Sequence, residues 1–275
     1  MSAVPNPTFV ETSYGRLAIR SAGPSNSALP PILAIHGNSS TGEIFRPIFE
    51  SSSIISTRRV IALDLPGHGE SEDAKDPNTA YTMPGYAKAA VEVLTKLGIS
   101  EAVILGWSLG GHIGVEMLPL LGGSARGLVM VGSLLVGLYP QALDDERTRW
   151  NLRQDHSAEE LAGFARMGTG GPFEEWMAAA AIRTDKRARR VLFENLGFGD
   201  CSDQQRLAAE TKVPTMVVVG SDEPHLDNNL IKGLPYGNLW SGQVVDIPGG
   251  QHCPLWEKPE LFVPILEKFL DEVAQ

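Results

Sequence analysis

Short apolar runs recur along the 275-residue chain, and most are followed by a turn and then by apolar positions at helical spacing. Ile32–Ile35, Val60–Leu63, Ala102–Leu105, Gly127–Val131, Pro214–Val219 and Val244–Ile247 are such runs. Unbroken apolar character over so few residues predicts strands covered on both faces. The intervening segments change period. Ile44, Phe45, Ile48 and Phe49 fit one face of a helix, and Met83–Leu97 fits an amphipathic helix closed by Gly98. His112–Leu121 and Glu260–Val273 predict two more helices. Near the start, Thr8–Tyr14 and Arg16–Ser21 read as strands around Gly15, a hairpin at a sheet edge. Strand-then-helix alternation predicts an α/β fold with a mostly parallel sheet flanked by helices.

The pattern breaks between Leu134 and Glu210. Strand-like runs vanish and helix starts multiply. Ser157 with Glu160 is a capping-box pair, Thr184 fits an N-cap, and Gly168–Pro172 separates two helices. This predicts a helical cap over 134–210, inserted into a core made of 1–133 and 211–275.

Candidate chemistry falls where the strands end. Ala102–Leu105 leads into Gly106-Trp107-Ser108-Leu109-Gly110, with a helical pattern directly behind. Strand, sharp turn and helix with a serine at the apex form a nucleophile elbow. The serine needs an unusual backbone angle, and glycines on either side leave room for it. A serine hydroxyl also needs a base, and the base needs a third group to orient it. In an elbow enzyme the acid and the histidine follow the serine in that order, each after a later strand. The run ending at Val219 is followed by Gly220-Ser221-Asp222-Glu223-Pro224. The run ending at Ile247 is followed by Gly249-Gly250-Gln251-His252. Of the six histidines, His252 alone has that position. For the acid both Asp222 and Glu223 are open, and the register three residues past Gly220 favours Glu223.

A developing oxyanion calls for two backbone N–H groups. Leu109 supplies one, and Asn38, in the loop His36-Gly37-Asn38, is the candidate for the other. The Asn38 side chain either bonds substrate or closes an Asx turn. The stretch Asp64–Gly69 reads as a structural turn. Trp107, Phe164, Met167, Phe173, Trp176 and Met177 either line an acyl pocket or form the cap's own core.

Composition bears mainly on partners. A net charge of −10 argues against nucleic acid and against an anionic membrane surface. No apolar run is long enough to span a bilayer, and Met1–Val10 lacks the features of a signal peptide, so a cytoplasmic location is expected. The two cysteines, Cys201 and Cys253, read as free thiols. No Cys/His cluster has metal-ligand spacing, and the chemistry outlined needs no cofactor or metal. The expected partner is a small-molecule ester with an apolar acyl part.

Together, His36-Gly37, Asp64-x-Pro-Gly-His-Gly-x-Ser71, Gly106-Trp-Ser-Leu-Gly110 and Gly250-x-His252 resemble the α/β-hydrolase superfamily over almost the whole chain. A closer resemblance rests on His36–Ser40, Gly106–Gly114, Arg183–Arg190, Asp222-Glu-Pro224 and Gly237–Trp240. These segments are similar to the bacterial metal-free N-acyl-homoserine lactonases of that fold. The resemblance implies hydrolytic opening of the lactone ring of quorum-sensing signals. It further implies Ser108 as nucleophile, His252 as base, Glu223 as acid and Asn38 at the oxyanion loop. Those enzymes carry a cap tyrosine near the position of Phe164, which has no hydroxyl, and Leu134–Asp155 departs from their pattern. A general carboxylesterase, another serine-triad hydrolase such as a C–C hydrolase or perhydrolase, and a ligand receptor retaining the fold are the alternatives.

Overall fold

A computed structural model describes residues 4–137, 146–198 and 201–274. Eight strands form one sheet: β1 Thr8–Thr12, β2 Gly15–Ala22, β3 Ile32–Ile35, β4 Val60–Leu63, β5 Ala102–Trp107, β6 Ala125–Val131, β7 Thr215–Gly220 and β8 Val245–Ile247. Their spatial order is β1-β2-β4-β3-β5-β6-β7-β8. β1 and β2 form an antiparallel hairpin, and β2 joins β4 antiparallel. From β4 to β8 every pairing is parallel.

The helices are α1 Arg46–Glu50, α2 Ser52–Thr57, α3 Pro77–Ala80, α4 Met83–Lys96, α5 Leu109–Leu121, α6 Glu146–Leu152, α7 Ala158–Thr169, α8 Glu175–Arg183, α9 Lys186–Phe198, α10 Gln204–Glu210, α11 Asn228–Gly233, α12 Pro254–Glu257 and α13 Pro259–Glu272. Among the described residues no helix is long and apolar enough to cross a membrane.

The unbroken apolar strands follow from two-sided burial. Leu33, Ile35 and Ile104 pack on one face with Tyr86, Val93, Ile113 and Met117 of α4 and α5. Ile32, Ala34, Val103 and Leu105 pack on the other with Ile48, Ile54, Phe262 and Phe269 of α1, α2 and α13. Strand alternation sends successive side chains to opposite layers, so both must be apolar.

β3 lies between β4 and β5, so the chain steps from β3 to one side and then crosses back over it to reach β5 on the other. Such a switch point opens a crevice at the carboxyl ends of the strands. Pairing of Ile35 with Gly106 sets the loop after β3 beside the turn after β5.

The Asp64–Ser71 stretch is a turn built around a buried carboxylate. Asp64 Oδ1 accepts the Gly42 N–H at 2.7 Å, and Oδ2 accepts from Arg20 and from the Glu70 N–H at 3.0 Å each. Gly69 has φ +51, and a Cβ there would lie 2.3 Å from Asp64 Oδ2, so glycine is required. His36 accepts the Leu65 N–H through Nε2 at 3.0 Å. Burial pulls the pKa of His36 and His68 down, so both are neutral spacers in this packing.

Between β6 and β7 the described regular elements are all helices. The capping box at Ser157 and Glu160 starts α7. Thr184 does not cap α9. Its hydroxyl turns back to donate to Ala180 O at the end of α8, while Asp185 Oδ1 accepts the Arg187 N–H and caps the next helix. A threonine at a helix end has both options, and with its hydroxyl turned back the aspartate one step later takes the cap. α7 packs on α8 and α6 on α9, whereas α10 lies on α5 in the layer that covers the sheet.

Asp64→Ala leaves Arg20 buried with Glu43 and Glu70 as its remaining ion-pair partners among the described residues. The expected loss is about 3 kcal/mol, the lower end for breaking a buried ion pair, measured by urea unfolding. A loss below about 1 kcal/mol would mean that the turn does not depend on this carboxylate.

Candidate active site

The apex of the turn between β5 and α5 is Ser108, with φ 52 and ψ −114. A non-glycine residue in that region is strained by about 1–3 kcal/mol. Close packing holds it there. A Cβ on Gly106 would lie 2.2 Å from the Gly110 backbone, and one on Gly110 would lie 1.9 Å from Ile35 O. The Ser108 N–H donates to Val131 O at 2.8 Å, tying the turn to the neighbouring strand.

Ser108 Oγ lies 3.0 Å from His252 Nε2, and His252 Nδ1 lies 2.7 Å from Glu223 Oε2. A carboxylate only accepts, so Nδ1 carries the proton and the Nε2 lone pair faces the serine hydroxyl. Burial pushes the Glu223 carboxyl upward, but the hydrogen bond from His252 and that from the His225 N–H at 2.7 Å outweigh it, leaving it below its ordinary pKa. Asp222 is exposed and accepts from the Ser221 hydroxyl, turned away from His252. The register past Gly220 thus brings Glu223, not Asp222, to the histidine.

Leu109 is the first residue of α5, so its N–H has no acceptor one turn back. Asn38 sits across from it in the loop after β3. The Asn38 side chain is held at both ends: Oδ1 accepts from the Ser39 hydroxyl at 3.1 Å, and Nδ2 donates to Asn151 Oδ1 at 3.4 Å. Ser39 has φ 60 and in turn accepts from the buried Arg189 at 2.9 Å. A chain of hydrogen bonds thus runs from α9 through the loop to α6.

Two connected hollows share Asn38, Ser108, Phe164 and His252. The smaller, about 70 Å³, is bounded by Trp107 and Met177. The larger, about 330 Å³, is walled by Leu135, Met167, Leu192, Phe193 and Leu226 among others. Phe173 and Trp176, expected at an acyl pocket, line neither. Trp176 packs edge-on against Trp256 and donates to Glu174, which is clamped by Arg46. Phe173 lies under the Arg166 guanidinium. Both are spent on seating α8 against the core, so their rings do not reach the cavity. A larger surface cleft, about 590 Å³, lies by Ala125, Lys212 and Pro214 at the opposite strand ends, far from these groups.

Local sequence reasoning did not identify three supports. Glu257, in α12, accepts the N–H groups of Gln251 and Cys253 and so brackets His252. Its signal was an acid in the first turn of the helix after the histidine. Asn151 and Arg189 come from distant helices, and no local pattern singles out either, although Arg189 falls within the Arg183–Arg190 motif. Among the described residues no cluster of His, Cys, Asp or Glu could hold a metal ion.

Glu223 carries a pH consequence. Its folded pKa is depressed, so its stabilisation is complete above the unfolded value, about 4.3, and is lost as pH falls through the folded value. The stability gap between wild type and Glu223→Gln therefore shrinks as urea unfolding is followed from pH 7 down to pH 3. A gap that stayed constant would contradict the depressed pKa.

Comparison with known proteins places this geometry. Residues 32–265 match the alpha/beta hydrolase family. The N-acyl homoserine lactonase AidH, in complex with N-butanoyl homoserine, superposes with a TM-score of 0.91 at 39% identity, covering 98% of each chain. A pimeloyl-[acyl-carrier protein] methyl ester esterase of Xanthomonas oryzae pv. oryzae is 25% identical over 260 residues, covering 89% of this chain and 96% of that one. A shorter match, 30% identical over 107 residues, covers 39% of this chain. It spans only 28% of its partner, the dihydrolipoyllysine-residue acetyltransferase component of the acetoin cleaving system of Pseudomonas putida. The family match spans most of the sheet and its flanking helices: this chain belongs to the alpha/beta hydrolase family.

Proposed function

We propose that this protein is a serine hydrolase that opens the lactone ring of N-acyl homoserine lactones through an acyl-enzyme. The observation that carries the reaction type is the bonded series Ser108–His252–Glu223 on the wall of an apolar cavity. The substrate class is supported by the full-length likeness to AidH at 39% identity. We read α6–α9 as the cap over this site.

Ser108 Oγ attacks the ring carbonyl carbon while His252 Nε2 takes the hydroxyl proton. Glu223 holds the imidazole in its tautomer and stabilises the imidazolium. The carbonyl oxygen becomes an oxyanion facing the Leu109 and Asn38 N–H groups. Collapse breaks the ring C–O bond, and His252 returns the proton to the ring oxygen. The new hydroxyl stays tethered to the acyl group because the leaving group was part of the ring. Water, deprotonated by His252, then attacks the acyl-enzyme and releases the N-acyl homoserine. Phe164, Met167 and Met177 give the acyl chain an apolar lining, with Trp107 beneath.

Hydrolysis of simple carboxylic esters by the same groups is the second reading, favoured by the likeness to the methyl ester esterase. A panel of N-acyl homoserine lactones and matched methyl esters, followed by product chromatography, separates the two. Ester turnover without ring opening would leave only the esterase.

Ser108→Ala lowers kcat by about 10⁴-fold or more, because the nucleophile is gone while the binding groups remain. Retention of more than about a hundredth of wild-type activity would remove Ser108 from this role. The acid is tested by a pair of variants. Glu223→Gln costs about 10⁴-fold in kcat through loss of the tautomer, and Asp222→Asn leaves it within about twofold. The reverse result would make Asp222 the acid.

A further inference from the structure

One polar side chain on the wall of the larger cavity is not used by this mechanism. His112 lies one helical turn beyond Ser108, with its N–H 3.5 Å from Ser108 O. Its neighbours on that wall include Met83, Leu109 and Leu135. The state of its ring is set from behind. Gln204 is fully buried, and its Nε2 donates to Glu116 Oε1 at 2.9 Å. Glu116 is in turn held by the Ser202 N–H and hydroxyl. The amide cannot be reversed, because Gln204 Oε1 also accepts the Val136 N–H. That oxygen lies 2.8 Å from His112 Nδ1. An amide oxygen only accepts, so Nδ1 carries the proton. Burial lowers the pKa of His112, so the ring is neutral. Nε2 is then a bare acceptor, and it has no hydrogen-bond partner among the described residues.

We propose that His112 Nε2 accepts a hydrogen bond from an N–H of the substrate next to the attacked carbonyl, making the site selective for α-acylamido lactones and esters. The inference rests on the proposed function, in which an N-acyl group stands on the carbon beside the ring carbonyl. Two considerations fix the position of the donor. Ser108, at the start of α5, and His112, in its first turn, line the same cavity. The amide nitrogen of such a substrate is two bonds from the carbon that Ser108 attacks. A substrate without the donor leaves Nε2 dry and unpaired. Leaving a buried polar atom unpaired costs about 1–3 kcal/mol, so roughly tenfold or more in kcat/KM.

The test compares N-hexanoyl homoserine lactone with the analogue in which CH2 replaces the amide N–H. Wild type is expected to prefer the amide by about tenfold or more in kcat/KM. His112→Phe and His112→Asn, checked for folding by thermal melts, bring the ratio close to one. Disturbed packing lowers both rates together and cancels in the ratio. A folded variant that keeps the wild-type ratio overturns the proposal and leaves lactone opening intact. If wild type hydrolyses esters and not lactones, the function is wrong in its substrate. The same ratio is then read from N-hexanoylglycine methyl ester and its CH2 analogue. Should neither variant fold, imidazole ¹⁵N spectra of Ser108→Ala decide. An unprotonated Nε2 resonance from a histidine other than His252 that moves with the amide and not with the CH2 analogue supports the proposal. No such movement overturns it.

Discussion

The site depends on one strained residue. Ser108 is held at φ 52 and ψ −114 because the chain passes from β5 into α5 without an intervening loop. The packing that enforces this angle also builds the surroundings. Gly106 and Gly110 bring α5 against the end of β3, which aims the start of α5 at the loop carrying Asn38. Strain of about 1–3 kcal/mol is small beside the apolar layers on both faces of the sheet, which cannot shift without opening the core.

The groups that meet Ser108 are fixed by backbone contacts from behind. Glu257 brackets His252 with two hydrogen bonds, and the Trp107 indole donates to His252 O at 2.9 Å. Glu223 is anchored by the His225 N–H. Positioning of this kind is what makes a hydrogen-bonded triad effective, since small displacements of the base cost large factors in rate. The loop after β3 is supported differently. Its hydrogen bonds run to Arg189 of α9 and Asn151 of α6, so the placement of Asn38 depends on the helices above the sheet.

Most of the sheet was legible because a strand buried on both faces has a simple signature. Ile32–Ile35 and Val60–Leu63 begin and end where the apolar runs do. Ser108, Glu223 and His252 were legible for a related reason: each follows a strand end, and parallel strands deliver such positions to one crevice. The helices between β6 and β7 were legible as helices, but the roles of their side chains were not. Their apolar positions serve several surfaces at once, so periodicity cannot tell a cavity wall from a seat on the core. Phe164 faces the cavity, while Phe173 and Trp176, close by in sequence, are drawn to Arg166 and Trp256. Arg189 was visible only as one residue in a basic motif. Its contact with Ser39 crosses 150 positions, beyond the reach of any local pattern.

The central claim is that Ser108 becomes covalently acylated. Rapid acid quench of the enzyme with N-hexanoyl homoserine lactone, followed by peptide mass spectrometry, addresses it directly. Ring opening expels no fragment, so the adduct should add the full mass of the lactone to the peptide carrying Ser108. An ester would add only its acyl part. Steady turnover with the Ser108 peptide unmodified at every quench time, or an adduct on another residue, would contradict the account.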